Sequence, residues 1–397
     1  MNMKPNICLV FKVHEPARLR LYRFFDIGKD SHYYDDFANR SLMMKTAEAS
    51  YVPMNEMLLD LIKSTKGKLK AAFAVSGSAL EQMDRYCPEV IDGFRELYKT
   101  GCVEFICEPF YHSLAAVGNE AEFLHQVEKH RKALLNYIGA TPATFVNTDM
   151  VYTDAIGEKV YEMGFKTMIT EGAGHILGWR SPNFVFSNVF APGLKLLLRN
   201  AGLSDDISLR FSSREWSEWP LTAEKYYGWL KACSDDQVVN LCMNYKVFGD
   251  YNGKETGIFD FFKSLVEIVV KDGTFNFMLP QEASALKATE SLEVQDPISC
   301  EDEERDMAKW LGNELQKDAF NKLYALQEKL SIINLPQLWE DYGHLQESDH
   351  FYNMNTKFFT DRGPHRYINP YDTPYEAFIN YMNVLADFAL RVQNELN

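Results

Sequence analysis

Polar residues that can do chemistry follow short apolar runs at intervals along the first 250 residues. His14, Glu15 and Pro16 close a run at 6–13. Glu104 falls inside 103–107, with Glu108 and His112 just beyond. Asn147, Thr148 and Asp149 follow 143–146, and Glu171, Gly172, Gly174 and His175 follow 166–169. Arg210 and Trp216 lie at or after 206–211, and Asn244 and Tyr245 follow 238–243. Sugar hydroxyls favour charged or bidentate hydrogen-bond partners, and the apolar face of a sugar ring favours an aromatic surface. Tyr111, Tyr152, Trp179, Trp216, Trp219, Tyr245 and Tyr251 share these segments, so the set as a whole suits a carbohydrate pocket. For any single aromatic the competing reading is core packing, and for any single polar residue it is loop capping.

Such groups need elements that aim them at one place. The runs 6–13, 71–75, 103–107, 143–146, 166–169, 206–211, 238–243 and 275–279 are short and apolar, as strands buried on both faces should be. Helical patterns alternate with them at 52–64, 88–100, 119–139, 155–163, 222–233 and 256–270. Gly101 and Gly164 read as helix stops, and Thr222 and Thr256 as N-caps. Strand and helix alternating over some 280 residues predict a parallel α/β barrel, whose chemistry gathers at the carboxyl ends of the strands. Beyond about residue 285 the pattern changes. Long amphipathic patterns at 303–331 and 374–395, with an ordered loop at 353–373, predict a helical region packed on the barrel. The expected organisation is a barrel domain over 1–285 and a helical C-terminal region over 286–397.

Composition narrows the function. Of 397 residues, 41 are Lys or Arg and 56 are Asp or Glu, a net charge of −15, which argues against binding a phosphate backbone. An apolar share of 46% is that of a folded chain. The seven cysteines are scattered without a C-x-x-C motif and read as buried thiols rather than a disulfide framework. The apolar run Ile7 to Val13 is short and carries Lys12, so it reads as a strand rather than a secretory segment. No apolar stretch is long enough to span a membrane, and the expected location is cytoplasmic. Motifs for zinc (H-E-x-x-H), nucleotides (G-x-x-x-x-G-K-[ST]) and Ser hydrolases (G-x-S-x-G) are absent, so neither a metal nor another cofactor is expected.

Six co-linear stretches resemble glycoside hydrolase family 57, and within it the bacterial α-amylase and α-amylase-like group. "VHEPARLRLYRFFDIG" resembles the first region of the family, with His14 and Pro16 matching a His-Gln-Pro pattern and Glu15 replacing the Gln. "GCVEFICEPFYHSLA" resembles the second and keeps Glu104. "FVNTDMVYTDAIGEKVYEMGFK", "CMNYKVFGDYNGKETGIFDFF" and "ISCEDEERDMAKWLGNELQ" resemble the third, fourth and fifth, and "YINPYDTPYEAFINYMNVLADF" the C-terminal helical block. The resemblance implies an incomplete (β/α)7 barrel with a C-terminal helical region, acting on α-glucans by a retaining mechanism. It implies substrate contacts at His14, Glu15, Glu104, His112, Trp216 and Tyr245.

The departures fall on the chemistry. The third region of the family reads Asn-Thr-Glu, its Glu being the nucleophile, and here Asp149 stands in that place. The fourth reads Met-Asp-Tyr-Glu-Thr-Phe-Gly-Glu-His, its Asp being the general acid/base. Here Asn244 replaces that Asp and Lys246 the following Glu. A retaining glycosidase needs two carboxyl groups about 5–5.5 Å apart. Asp149 is one methylene short, and misplacement by about 1 Å can cost on the order of 100-fold. An amide delivers no acidic proton, which removes about 10²–10⁴-fold. The expectation is an α-amylase-like protein that binds an α-glucan or other oligosaccharide and hydrolyses it weakly or not at all. The alternative is an active retaining α-glycosidase with Asp149 as nucleophile and a substitute acid such as Asp250 or Glu171.

Overall fold

A computed structural model describes residues 4–301, 303–357 and 369–396. Ten strands are present among them: β1 Asn6–Val13, β2 Ala71–Val75, β3 Val103–Ile106, β4 Thr144–Val146, β5 Thr167–Glu171, β6 Phe186–Asn188, β7 Lys195–Arg199, β8 Val238–Asn244, β9 Asn276–Phe277 and β10 Glu290–Leu292. Parallel pairings run β3–β2–β1–β8–β7–β5–β4. Cys107, just past β3, closes the circle by bridging Phe145 of β4 in parallel. Seven parallel strands thus form the expected incomplete barrel. β6 runs antiparallel to β7 and carries β10 on its far side, outside the ring.

Two seams are thin, and side chains close one of them. β7 and β8 pair only at Arg199 and Asn240. The Asn240 amide donates to Leu198 O at 2.9 Å, and the Arg199 guanidinium donates to Cys242 O at 3.1 Å, replacing missing ladder bonds. Small residues fill the narrow interior. Cys8 and Val10 of β1, Ala72 and Ala74 of β2, and Cys242 of β8 belong to one inner cluster with Ile106 and Leu197. Period-two alternation puts Lys12 on the face of Cys8 and Val10, and Glu104 on the face of Ile106.

The structure corrects several expectations. The run 206–211 is not a strand: residues 201–208 form the helix Ala201–Ser208, capped by the Asn200 side chain, which accepts from Leu203 N. The strand there is β7, whose Leu196, Leu197 and Leu198 carry no β-branched signal. Gly257, not Thr256, caps the helix Ile258–Asp272. The pattern at 303–331 divides into Ala308–Leu311, Glu314–Tyr324 and Gln327–Leu330, with Asn313 starting the second. The pattern at 374–395 is the helix Pro374–Glu395. Of the loop expected at 353–373, residues 358–368 lie outside the described residues. One apolar cluster unites barrel residues Phe145, Met168 and Leu196 with C-terminal Leu338, Phe351 and Val384, so the helical region is docked by shared core.

Candidate active site

A cavity of about 580 Å³ opens at the carboxyl ends of the strands. β1 supplies Lys12 and the following His14 and Glu15, and the segment after β3 supplies Glu108 and His112. Asn147 and Asp149 follow β4, Arg199 ends β7, and Met243 and Asn244 end β8. Residues from the C-terminal region complete the wall, among them Cys300, Glu301, Arg305 and Lys309.

Asp149 sits on a distorted turn. Asp149 and Met150 both have left-handed backbone, with φ of 45° and 60°, and so does His112 at 51°. Strain of this kind in non-glycine residues collects at functional sites. The surroundings hold the turn in place. The Asn147 amide donates to Val151 O at 2.9 Å, and Cys300 N donates to Asp149 O at 2.9 Å. Tyr152 and Ile298 exchange backbone hydrogen bonds at 3.0 Å, laying residues 298–301 alongside the turn.

Cations surround the carboxylate. The Lys12 ammonium donates to Asp149 Oδ1, and His112 Nε2 lies 3.5 Å from the same oxygen. Asp149 Oδ2 is buried without a hydrogen-bond partner among the described residues. Burial alone raises a carboxyl pKa, but Lys12 and His112 outweigh it and hold Asp149 far below the usual carboxylate range. His112 is pushed down by burial and by Lys12. Asp149 and Glu108, the latter 2.9 Å from His112 Nδ1, prevail and raise it to about 9.

The same charge logic holds Glu15 and His14. Burial raises the Glu15 carboxyl, but Lys246 and Arg18 overcome this and lower its pKa. Lys246 contacts one oxygen of Glu15, and Arg18 Nη2 donates to the other at 3.3 Å. His14 is clamped between Ser76 Oγ at 2.7 Å and Asp349 Oδ2 at 2.8 Å, and its ring lies 4.3 Å from that of His112.

Of the residues singled out from sequence, His14, Glu15, His112, Asp149 and Asn244 line one cavity. Glu104 does not. Its Oε2 accepts from Gln281 N at 2.9 Å, beyond β9, which pairs with the first two residues of β1 at the opposite end of the barrel. Tyr245 points the other way, into the core. Its ring packs 5.1 Å from Phe11 and 5.0 Å from Phe73, and its hydroxyl donates to Asn55 Oδ1 at 2.8 Å. Trp216 lies in a separate shallow groove with Trp229, 6.0 Å between ring centroids. Of the suggested substitute acids, Asp250 lines the cavity, whereas Glu171 is fully buried against Arg199 at 3.3 Å. Asn244 Oδ1 accepts from Lys246 N at 3.0 Å, and Asn244 stands in register with Lys12.

Four residues that sequence reading passed over bear on the site. Lys12 carried a signal, being a lone cation on the inward face of an apolar strand. Glu301 lies in a matched region, and one of its carboxylate oxygens comes within 4.8 Å of one of Asp149. Lys309 Nζ binds the Glu301 carboxylate at 2.5 Å. Asp349 meets His14 across 335 positions of sequence, a distance over which no local pattern signals contact.

Seven parallel strands around a rim cavity of paired carboxylates and histidines define an incomplete barrel of glycoside-hydrolase type. The model of glycosyl hydrolase family 57 matches residues 8–295. A protein of Methanocaldococcus jannaschii named putative alpha-amylase is 36% identical over 403 residues, covering 97% of this chain and 84% of its own. The chain belongs to glycosyl hydrolase family 57. Solved structures share its fold. A branching enzyme of Thermococcus kodakaraensis, 11% identical, aligns over 99% of this chain and 91% of its own with a TM-score of 0.73. The alpha-amylase AmyC of Thermotoga maritima, 10% identical, aligns over 100% and 95% with a TM-score of 0.65. The 4-alpha-glucanotransferase of Thermococcus litoralis, 14% identical with a TM-score of 0.67, aligns over 88% of this chain, which spans 56% of that enzyme. Among the described residues no helix is long and apolar enough to cross a membrane.

Proposed function

We propose that the rim cavity binds an α-glucan or another oligosaccharide and that hydrolysis there is weak or absent. One observation carries this reading: the position at which the family pattern places the general acid holds an amide, Asn244, which has no acidic proton to give. The Glu301 carboxyl, within 4.8 Å of Asp149, is paired with the Lys309 ammonium, and the protonated His112 is engaged between Asp149 and Glu108. Asp149 itself is ionised as a nucleophile must be, but its oxygen is occupied by Lys12. The site thus keeps the nucleophile and lacks the acid that protonates the leaving oxygen, worth about 10²–10⁴-fold. The charged groups and the unpartnered Asp149 Oδ2 suit sugar hydroxyls. The test is an assay of the purified chain on starch, maltooligosaccharides and an activated aryl α-glucoside, with calorimetric titration of the same sugars. Binding without turnover supports the reading, and clear turnover abolished by Asp149→Ala overturns it.

A second reading rests on the spacing between Asp149 and Glu301, which approaches the roughly 5–5.5 Å of a retaining pair. In it, a bound sugar displaces Lys309 and Glu301 takes up the acid role. Turnover lost in both Asp149→Ala and Glu301→Gln favours this version.

A further inference from the structure

One wall of the cavity carries more positive charge than a neutral sugar needs. Glu15 is a single carboxylate shared by two cations, Lys246 on one oxygen and Arg18 on the other. All three side chains are largely buried, at 1% for Glu15, 13% for Lys246 and 16% for Arg18. Lys45, in the last turn of the helix Asp36–Thr46, lines the same cavity and makes no ion pair or hydrogen bond among the described residues. Asp250, to which Thr46 Oγ1 donates at 3.5 Å next to Lys45 in the chain, also lines the cavity. Within this group, Arg18, Lys45 and Lys246 are three cations against the two carboxylates Glu15 and Asp250. In a chain with 56 acidic and 41 basic residues, such a surplus runs against composition. Positions 244 and 246, both acidic in the family pattern, here carry an amide and an ammonium.

We propose that Arg18, Lys45 and Lys246 form a subsite for a negatively charged group on the bound sugar, a phosphate ester or a ring carboxylate. The inference rests on the carbohydrate-pocket reading above and narrows its ligand from a neutral glucan to an acidic saccharide. The largely buried Arg18 guanidinium and Lys246 ammonium, together with the exposed Lys45 ammonium, give a phosphate or carboxylate short charge-assisted hydrogen bonds. A neutral hydroxyl there leaves the surplus charge uncompensated.

The experiment is calorimetric titration of the full chain with glucose, glucose 1-phosphate and glucuronic acid at low and high salt. The charged sugars are expected to bind at least about tenfold more tightly than glucose, the ratio that one charge-assisted pair supplies. The gain is expected to fall several-fold in Lys246→Gln and in Lys45→Glu and to shrink with salt. Lys45 is exposed, so its variant keeps the test intact even where Lys246→Gln unfolds the chain by freeing buried Glu15. A preference for the phosphate or for the carboxylate identifies the source of the charge, and either one supports the subsite. Equal binding of glucose and the charged sugars overturns the subsite and leaves the pocket reading standing. A charged-sugar preference untouched by both variants overturns the assigned place. Binding of none of the three sugars removes the pocket reading as well.

Discussion

The two ends of the barrel treat a buried carboxylate in opposite ways. At the carboxyl rim Asp149 is surrounded by Lys12 and His112, which hold it ionised. At the other end Glu104 meets one backbone N–H from Gln281 and no cation, and burial raises its pKa to about 7. Both residues are almost fully buried, so exposure does not distinguish them. What differs between the two is whether the fold supplies compensating charge, as it does for Asp149 at the cavity. A buried carboxylate by itself is thus a poor marker of a site, and a carboxylate with arranged cations is a good one.

The largest expected effect tests what the rim lacks. Asn244→Asp returns a carboxyl to the acid position and should raise turnover of an activated aryl α-glucoside by about 10²–10⁴-fold. An unchanged rate in a folded variant would mean that Lys12, in register with position 244, keeps the new carboxyl ionised. Next in size is Lys12→Met, which leaves Asp149 buried without its nearest cation. Breaking a buried pair from one side costs about 3–5 kcal/mol, readable as a lower urea midpoint. A loss below about 1 kcal/mol would show that His112 alone compensates Asp149 and that the rim is less tightly coupled than its geometry implies.

The contrast also explains what the sequence made legible. Short apolar runs, glycine stops and threonine caps sufficed for six of the seven ring strands and for the major barrel helices, because each is written in local periodicity. β7 was missed because Leu196 to Leu198 favour helix as readily as strand, and the neighbouring 206–211 mimicked its alternation. Site residues that directly follow strands were legible in the same local way: His14, Glu15, His112, Asp149 and Asn244 all reach the cavity. Glu104 and Tyr245 were misplaced because strand membership does not tell top from bottom, or inside from outside, without the register. Asp349 and Lys309 come from the C-terminal region, and their contacts with His14 and Glu301 are set by how that region docks.

A pH series probes the rim with a smaller effect. His112 titrates near 6.5 when unfolded and at about 9 when folded, so its raised pKa contributes stability that is complete below the first value. That contribution is lost as pH rises through the second. Chemical denaturation should therefore show stability falling by on the order of 2 kcal/mol between about pH 6.5 and pH 9.5, and the fall should shrink in His112→Gln. A curve identical in the variant would assign the loss to another raised group, of which His344 at about 10 is the nearest in kind.

The smallest effect, and the cleanest opposition, lies at the far end. Glu104 has its pKa raised by burial from an unfolded value near 4.3 to about 7, so the folded state favours its protonated form. By linkage that preference stabilises fully below about pH 4.3 and is lost as pH rises through about 7. Above that, the chain must either ionise the group in a poorly solvated place or hold a proton against the solvent. Glu104→Gln keeps the shape, stays neutral and can still accept from Gln281 N. It should leave stability nearly unchanged at pH 5 and raise it by on the order of 1 kcal/mol at pH 8 to 9. Asp149→Asn should do the reverse at neutral pH, because it strips Lys12 and His112 of their shared partner. If both amides shift stability in the same direction at pH 8, then both carboxylates are compensated alike and the distinction between the ends of the barrel fails.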